Sequence, residues 1–226
     1  LIEQDPKSEE IIRPILRGRD IKRYSYDFAN LYIITTFPSL KIDIEEYPAV
    51  KQHLLTFGYN RLKQTGDVGA RKKTNNQWFE TQDSISYWDD FFKQKIMYPN
   101  MTKFLPFYLD DKGFMQNDKS FMITGNYLYF LTAFLNSSLF KFCFIDNFPE
   151  LQGGTRELRK IFLDKIPVLQ VTEEQNEIFK PLVQKCQQLR LENYPSHELK
   201  KQIDNIIFDL YRLSEEERKI IGYASI

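Results

Sequence analysis

The apolar pattern of this chain changes period at Pro167, and that change limits the possible folds more than any single motif does. Before it lie short β-branched and aromatic runs at residues 31–37, 95–98, 104–109, near Phe114, and at 121–124. The turn residues Asp110, Asp111, Lys112 and Gly113 divide the later runs, so an antiparallel meander suits them better than alternating strand and helix units. Helices are expected between them. One runs over 45–62, capped by Asp43 or a neighbour with Pro48 in its first turn; a short one spans 84–92. A longer one spans 126–144, where Leu128, Leu131, Leu135 and Leu139 recur at helical spacing. After Pro167 the period is helical throughout. Thr172 with Gln175 forms a capping-box pattern opening a helix to about Leu191; a second reaches about Leu213, and Ser214 with Glu217 caps a third. The expected fold class is α+β: a mixed or antiparallel sheet with packed helices over residues 1–170, then a helical spacer or packing extension over 171–226.

Charge narrows the function. Lys plus Arg number 31 and Asp plus Glu number 31, so no global positive field would attract polyanions. Any nucleic-acid function must rest on local clusters. The extension carries more acids than cations and reads as a packing element. Cys143 and Cys186 are far apart and suit reduced packing residues in a cytoplasmic protein. No apolar run has the length of a membrane span, which argues against a membrane partner. The chain starts without Met and is expected to be a piece of a longer protein.

Three segments concentrate cations. In the first, Arg13, Arg17, Arg19, Lys22 and Arg23 surround Gly18 and Asp20 between aliphatic anchors. Two readings fit: an edge facing an anion, or a strand and turn whose arginines pair with carboxylates. Asp20 is better suited to orient an arginine than to approach phosphate, and Gly18 to permit a turn. In the second, residues 61–77 hold Arg61, Lys63, Arg71, Lys72 and Lys73 against Asp67 alone, amid Gly, Thr and Asn. This is either a disordered surface loop or a mobile arm that orders on DNA, with its Asn, Gln and Arg side chains available to base edges. Trp78 reads as a buried anchor at its exit. In the third, Gly153 and Gly154 precede Arg156, Arg159, Lys160 and Lys165. The glycines would let a phosphate approach, although a plain turn accounts for them taken alone.

Catalytic chemistry is not encoded in these residues. A glycine-bearing loop for a methyl donor is missing, as is an acidic or amide residue before a Pro-Pro-aromatic; Tyr98-Pro99-Asn100 has one proline in the wrong order. Acid-x-Lys triplets at 20–22, 110–112, 198–200 and 217–219 read as surface charge. His53 and His197 have no acid or cysteine at ligand or triad spacing and receive no role, and no catalytic or metal-binding residue is assigned.

The wording Arg13-Pro14-Ile15-Leu16-Arg17-Gly18-Arg19-Asp20-Ile21-Lys22-Arg23-Tyr24 resembles the opening of the TaqI-like C-terminal specificity domain. Gln77-Trp78-Phe79-Glu80, Lys95-Ile96-Met97-Tyr98-Pro99-Asn100, Leu135-Asn136-Ser137, Lys165-Ile166-Pro167-Val168 and the closing helix from Ile203 follow in the same order. That family supplies target recognition in adenine-N6 DNA methyltransferases and fused type IIG restriction–modification enzymes. The resemblance implies sequence-specific binding of double-stranded DNA, directing an upstream methyltransferase domain that uses S-adenosylmethionine. It leaves open a fused nuclease with magnesium. No cofactor is expected in this fragment. The DNA contacts expected are Arg17, Arg19, Lys22 and Arg23 in the opening segment, Arg71, Lys72, Lys73, Asn75 and Asn76 in the loop, and Arg156 and Arg159 in the third segment. The rival reading is a protein-interaction module docking through Leu182, Leu189, Ile206 and Leu210.

Overall fold

A computed structural model describes residues 1–222. In chain order these form β1 (Ile12–Leu16), β2 (Ile21–Lys22), β3 (Ser25–Tyr26), β4 (Tyr32–Ile34), α1 (Pro48–Leu55) and α2 (Tyr59–Leu62). Then come β5 (Lys95–Pro99), β6 (Met101–Thr102), β7 (Tyr108–Asp110), β8 (Met115–Gln116), β9 (Ser120–Ile123), α3 (Leu128–Leu135) and α4 (Ser138–Asn147). The last elements are β10 (Arg156–Glu157), α5 (Lys160–Leu163), α6 (Glu173–Leu191), α7 (His197–Leu210) and α8 (Glu215–Ile221). The class is α+β, with a helical C-terminal part. Compactness divides the chain elsewhere than at residue 170. One unit comprises Leu1–Ile15 and Asn30–Phe91; the other comprises Leu16–Ala29 and Phe92–Ile226.

In the first unit β1 pairs antiparallel with β4, in the register Ile12↔Ile34, Arg13↔Ile33 and Pro14↔Tyr32. Pro14 takes part in the pairing although it has no N–H to donate. Thr35 extends the contact, donating its amide (2.8 Å) and its hydroxyl (3.0 Å) to the Ile11 carbonyl. Ile11, Ile12, Ile44, Tyr47 and Val50 form the core. The run 31–37 was expected to be a buried strand, but only three of its residues are strand and Tyr32 is 52% exposed. β4 is an edge strand, paired with β1 on one flank and with no strand on the other among the described residues. The expected helix over 45–62 is divided. Asp43 caps a single 3-10 turn, Ile44–Glu46; Pro48 starts α1; and Gly58, at φ 90°, separates α1 from α2 with a backbone turn that favours glycine. The helix expected over 84–92 is reduced to the 3-10 turn Trp88–Phe92.

In the second unit β5 is central, antiparallel to β7 on one side (Ile96↔Leu109) and β9 on the other (Met97↔Met122). The antiparallel sense is as expected, but the order is not that of a meander. All five β5 residues are buried, so the first strand takes the centre. Buried Lys95 pairs with buried Asp110 across the β5–β7 ladder, and Asp110 also accepts from the amides of Lys112 and Phe114. The expected 126–144 helix is two helices, α3 and α4, bent by 64° at Asn136 and Ser137. The Asn136 side chain reaches back to Phe107, accepting from its amide (3.3 Å) and donating to its carbonyl (2.9 Å), while Ser137 caps α4. No single helix among the described residues is long and apolar enough to cross a membrane; the bent pair's apolar faces lie largely in the core.

The later helices join the same core. α6 opens on the expected capping box of Thr172 and Gln175, and α8 on that of Ser214 and Glu217. Phe179 of α6 packs on Phe130 of α3, and Tyr211 stacks on Phe134 at 5.6 Å and 11°. Asp204 of α7 accepts from the amide and hydroxyl of Ser138 at the start of α4.

Candidate nucleic-acid interface

Within the first unit, the cationic loop has a framework of its own. Gln64 is only 5% exposed and spans the loop's base. Its amide donates to the carbonyls of Gln77 (3.1 Å) and Glu80 (2.8 Å), and its oxygen accepts from the Thr74 hydroxyl (2.7 Å). Arg71 lies half-buried. It donates Nε to the Leu62 carbonyl (2.6 Å), one terminal nitrogen to Glu80 (2.9 Å) and the other to Trp78. Backbone pairs Gly66 to Arg71, Arg71 to Lys63 and Thr74 to Gln64 close the ring. Burial lowers the Arg71 pKa, yet a guanidinium keeps its charge there.

This geometry separates residues that the sequence grouped together. The Arg71 guanidinium and the Asn76 amide, which donates to the carbonyls of Thr81 and Gln82, are committed to carbonyls of the loop itself. They shape the loop instead of facing a ligand. Lys72, Lys73 and Asn75 point outward and are exposed. Trp78 is half-buried between Tyr59 and Phe79, which fits an anchor at the loop's exit. Gln64, the residue most central to the frame, was not singled out from the sequence. Its signal, one amide side chain among many, is weak until its burial is known.

Within the second unit, Arg17 grips Asp20 with two bonds of 2.8 Å, and its own amide adds a third of 2.9 Å. Burial would push the Asp20 carboxyl up, but the hydrogen bonds and charge of Arg17 hold it below its ordinary value. Asp20 therefore orients Arg17, as its chemistry suggested. Gly18 is needed for close approach rather than for its backbone angles. A Cβ there would run into the Lys119 carbonyl oxygen and lie 3.3 Å from Pro99. Arg19 is exposed, and Lys22 donates to the Arg19 carbonyl at 2.7 Å with Asp27 at 3.5 Å. Arg23 departs from the expectation of a DNA-facing cation. It is 9% exposed and donates to the Asn136 carbonyl. Tyr24, fully buried at φ 59°, draws the hairpin turn between β2 and β3 inward and takes Arg23 with it.

Arg19 and Lys22 line a groove of about 640 Å³ with Tyr26, Met101, Phe104 and Arg190. Arg190 comes from α6, in the part whose net charge is negative; averaging over that segment concealed it. In the third segment Arg156 is tied to the Phe148 carbonyl and Glu150, and Arg159 to Glu157. Gly153 and Gly154 have φ of 73° and 77° in an irregular turn. Among the described residues no group of three or more His, Cys, Asp or Glu is placed to hold a metal ion.

Outward cations thus include Lys72 and Lys73 on a braced loop, Arg19, Lys22 and Arg190 along a groove, and Arg159, exposed beside Glu157, in the third segment. No curated protein matches the chain. Residues 13–168 match the family model of the TaqI-like C-terminal specificity domain, so the chain belongs to that family.

Proposed function

We propose that this chain reads double-stranded DNA sequence and directs an upstream adenine-N6 methyltransferase domain of a restriction–modification or phage-defence enzyme. That domain would bind S-adenosylmethionine, and magnesium would be required where a nuclease is also fused. The reading is supported by membership of the specificity-domain family together with one observation: a cationic loop braced from within that displays Lys72, Lys73 and Asn75. A loop that is already ordered loses little conformational freedom on binding, which favours selective contacts over adhesive ones. In this reading Lys72 and Lys73 take phosphates and set register, Asn75 faces a base edge, and Arg19 is the groove's candidate for a guanine. Arg71 and Asn76 act by shaping the loop.

The test is selection from a random double-stranded DNA library at low salt, with sequencing of the retained pool. Enrichment of one short motif is expected, relaxed at some position by Asn75→Ala. Retention without any enrichment would leave only phosphate binding and would defeat the proposal. The interaction-module alternative has less support, because Leu182, Ile206 and Leu210 already pack on this chain's own core.

A further inference from the structure

The second unit contains a small cavity whose polar groups are poorly matched by the protein around it. Its volume is about 110 Å³, and it is lined by Arg23, Tyr24, Arg190, Ser196 and Lys200. Arg23 uses one terminal nitrogen on the Asn136 carbonyl, while its Nε and other terminal nitrogen are buried without a hydrogen-bond partner. The Ser196 hydroxyl, 4% exposed, is likewise buried and unpartnered. Native proteins rarely leave buried donors unmet, so these point to something that occupies the space.

The occupant's charge follows from its surroundings. Arg23, Arg190 and Lys200 are cations. Burial lowers the Lys200 pKa, and the positive charges of Arg23 and Arg190 lower it further, so the three are close enough to oppose one another. The acid they feel is Asp204, whose oxygens already accept from the Ser138 amide and hydroxyl. Cys186 nearby has its thiol pushed up to about 11 by burial and is neutral. Three cations against one carboxylate leave a local excess of positive charge. Water could meet the hydrogen bonds but brings no opposing charge. Ser196 stands at the N-terminus of the 14-residue helix α7 without capping it, so the positive end of the helix dipole is added there. At roughly 30 Å³ per water, the space suits about four water-sized atoms, which a tetrahedral oxyanion supplies and a nucleobase exceeds.

We propose that Arg23, Arg190, Ser196 and Lys200 form a binding site for one tetrahedral oxyanion of the phosphate class. Arg23 and Arg190 also line the larger groove that holds Arg19 and Lys22, which gives the anion a route in. The occupant is either a phosphate of a DNA backbone lying in that groove or a free phosphate. The site does not depend on the loop of the first unit or on base reading.

The experiment is calorimetric titration and thermal melting of the intact chain with inorganic phosphate, against chloride at equal ionic strength. Phosphate-specific binding and a rise in Tm are expected, with affinity lowered at least tenfold in both Arg190→Gln and Lys200→Gln. These partly exposed positions avoid the folding defect that Arg23→Gln risks. Lys185→Ala, which removes an exposed cation of α6 that does not line the cavity, should leave phosphate binding unchanged. Absence of phosphate-specific binding, or equal affinity in the wild type and both glutamine variants, would overturn the proposal. Given a positive result, displacement of phosphate by duplex DNA identifies a backbone phosphate as the occupant, and binding without competition identifies a free anion. A library selection that fails while phosphate still binds would reject base reading alone.

Discussion

Replacing Arg71 by alanine separates a loop-shaping residue from a DNA-contacting one. The side chain donates to three carbonyls, of Leu62, Glu80 and Trp78; after truncation the Glu80 carbonyl keeps the Gln64 amide as a donor, while those of Leu62 and Trp78 lose the guanidinium. Bonds from a charged donor are worth roughly 1.5–3 kcal/mol each. The guanidinium is half-buried, its pKa is lowered by burial, and its desolvation offsets part of the gain. A net loss of about 2–4 kcal/mol in the loop's local stability is therefore expected. Amide hydrogen exchange measures this directly, because Gly66, Arg71 and Thr74 donate across the loop at 3.0–3.1 Å. At about 1.4 kcal/mol per decade, their exchange should accelerate roughly 30- to 700-fold. Lys72→Ala, one residue away and exposed, should leave the same amides within about threefold, in line with the small cost of surface substitutions. Arg71→Lys should resemble Arg71→Ala, since an ammonium cannot serve three divergent carbonyls as the planar fork does. Unchanged exchange at all three amides in Arg71→Ala would refute the bracing argument and return Arg71 to the list of ligand-facing cations.

Three further outcomes follow from the same geometry. Gly18→Ala places a methyl against the Lys119 carbonyl and should cost about 1–3 kcal/mol, read as a Tm lower by roughly 2–12 °C. The Asp20 carboxyl titrates below its ordinary 3.8 in the folded state, so the stability it contributes is present above that pH and is lost as pH falls through the folded value. Asp20→Asn should therefore lose less stability than the wild type on acidification, as followed by urea midpoints; parallel curves would contradict this. Lys72→Ala with Lys73→Ala should reduce the slope of log binding constant against log salt by ~1.8 for duplex DNA, and an unchanged slope would place both lysines off the backbone.

Local signals in the sequence carried over well to the structure. The pairs Thr172–Gln175 and Ser214–Glu217 cap α6 and α8, and the run from Lys95 is the central strand, because a cap or a strand-forming run is defined by residues adjacent in sequence. What escaped was set by distant partners. The leucine spacing runs unbroken from residue 128 to 139, and the bend arises because Asn136 satisfies Phe107, 29 residues earlier. Counting cations located the loop correctly but could not assign Arg71 to carbonyls or Lys72 to solvent, a difference between adjacent residues. The same limit applies to Lys22 and Arg23, where the buried Tyr24 decides which cation turns inward. Arg190 was concealed because net charge is a property of a segment, whereas a groove is lined by single side chains.

The interleaving of the two compact units affects synthesis. The first unit has all its residues once Phe91 has left the ribosome, but residues 16–29 belong to the other unit and at that stage have nothing to pack on. Tyr24 must wait for Phe107, whose carbonyl accepts its amide, and for Phe179 and Phe208 to complete its core. At about 5–20 residues per second, the 83 residues separating Tyr24 from Phe107 take roughly 4–17 s to translate. For the last 16 residues of that interval, from Phe91 to Phe107 and roughly 1–3 s, Leu16, Ile21 and Tyr24 are displayed on a loop tethered at both ends to a completed fold. Apolar surface exposed in this way makes the nascent chain prone to aggregate until the second unit closes over it.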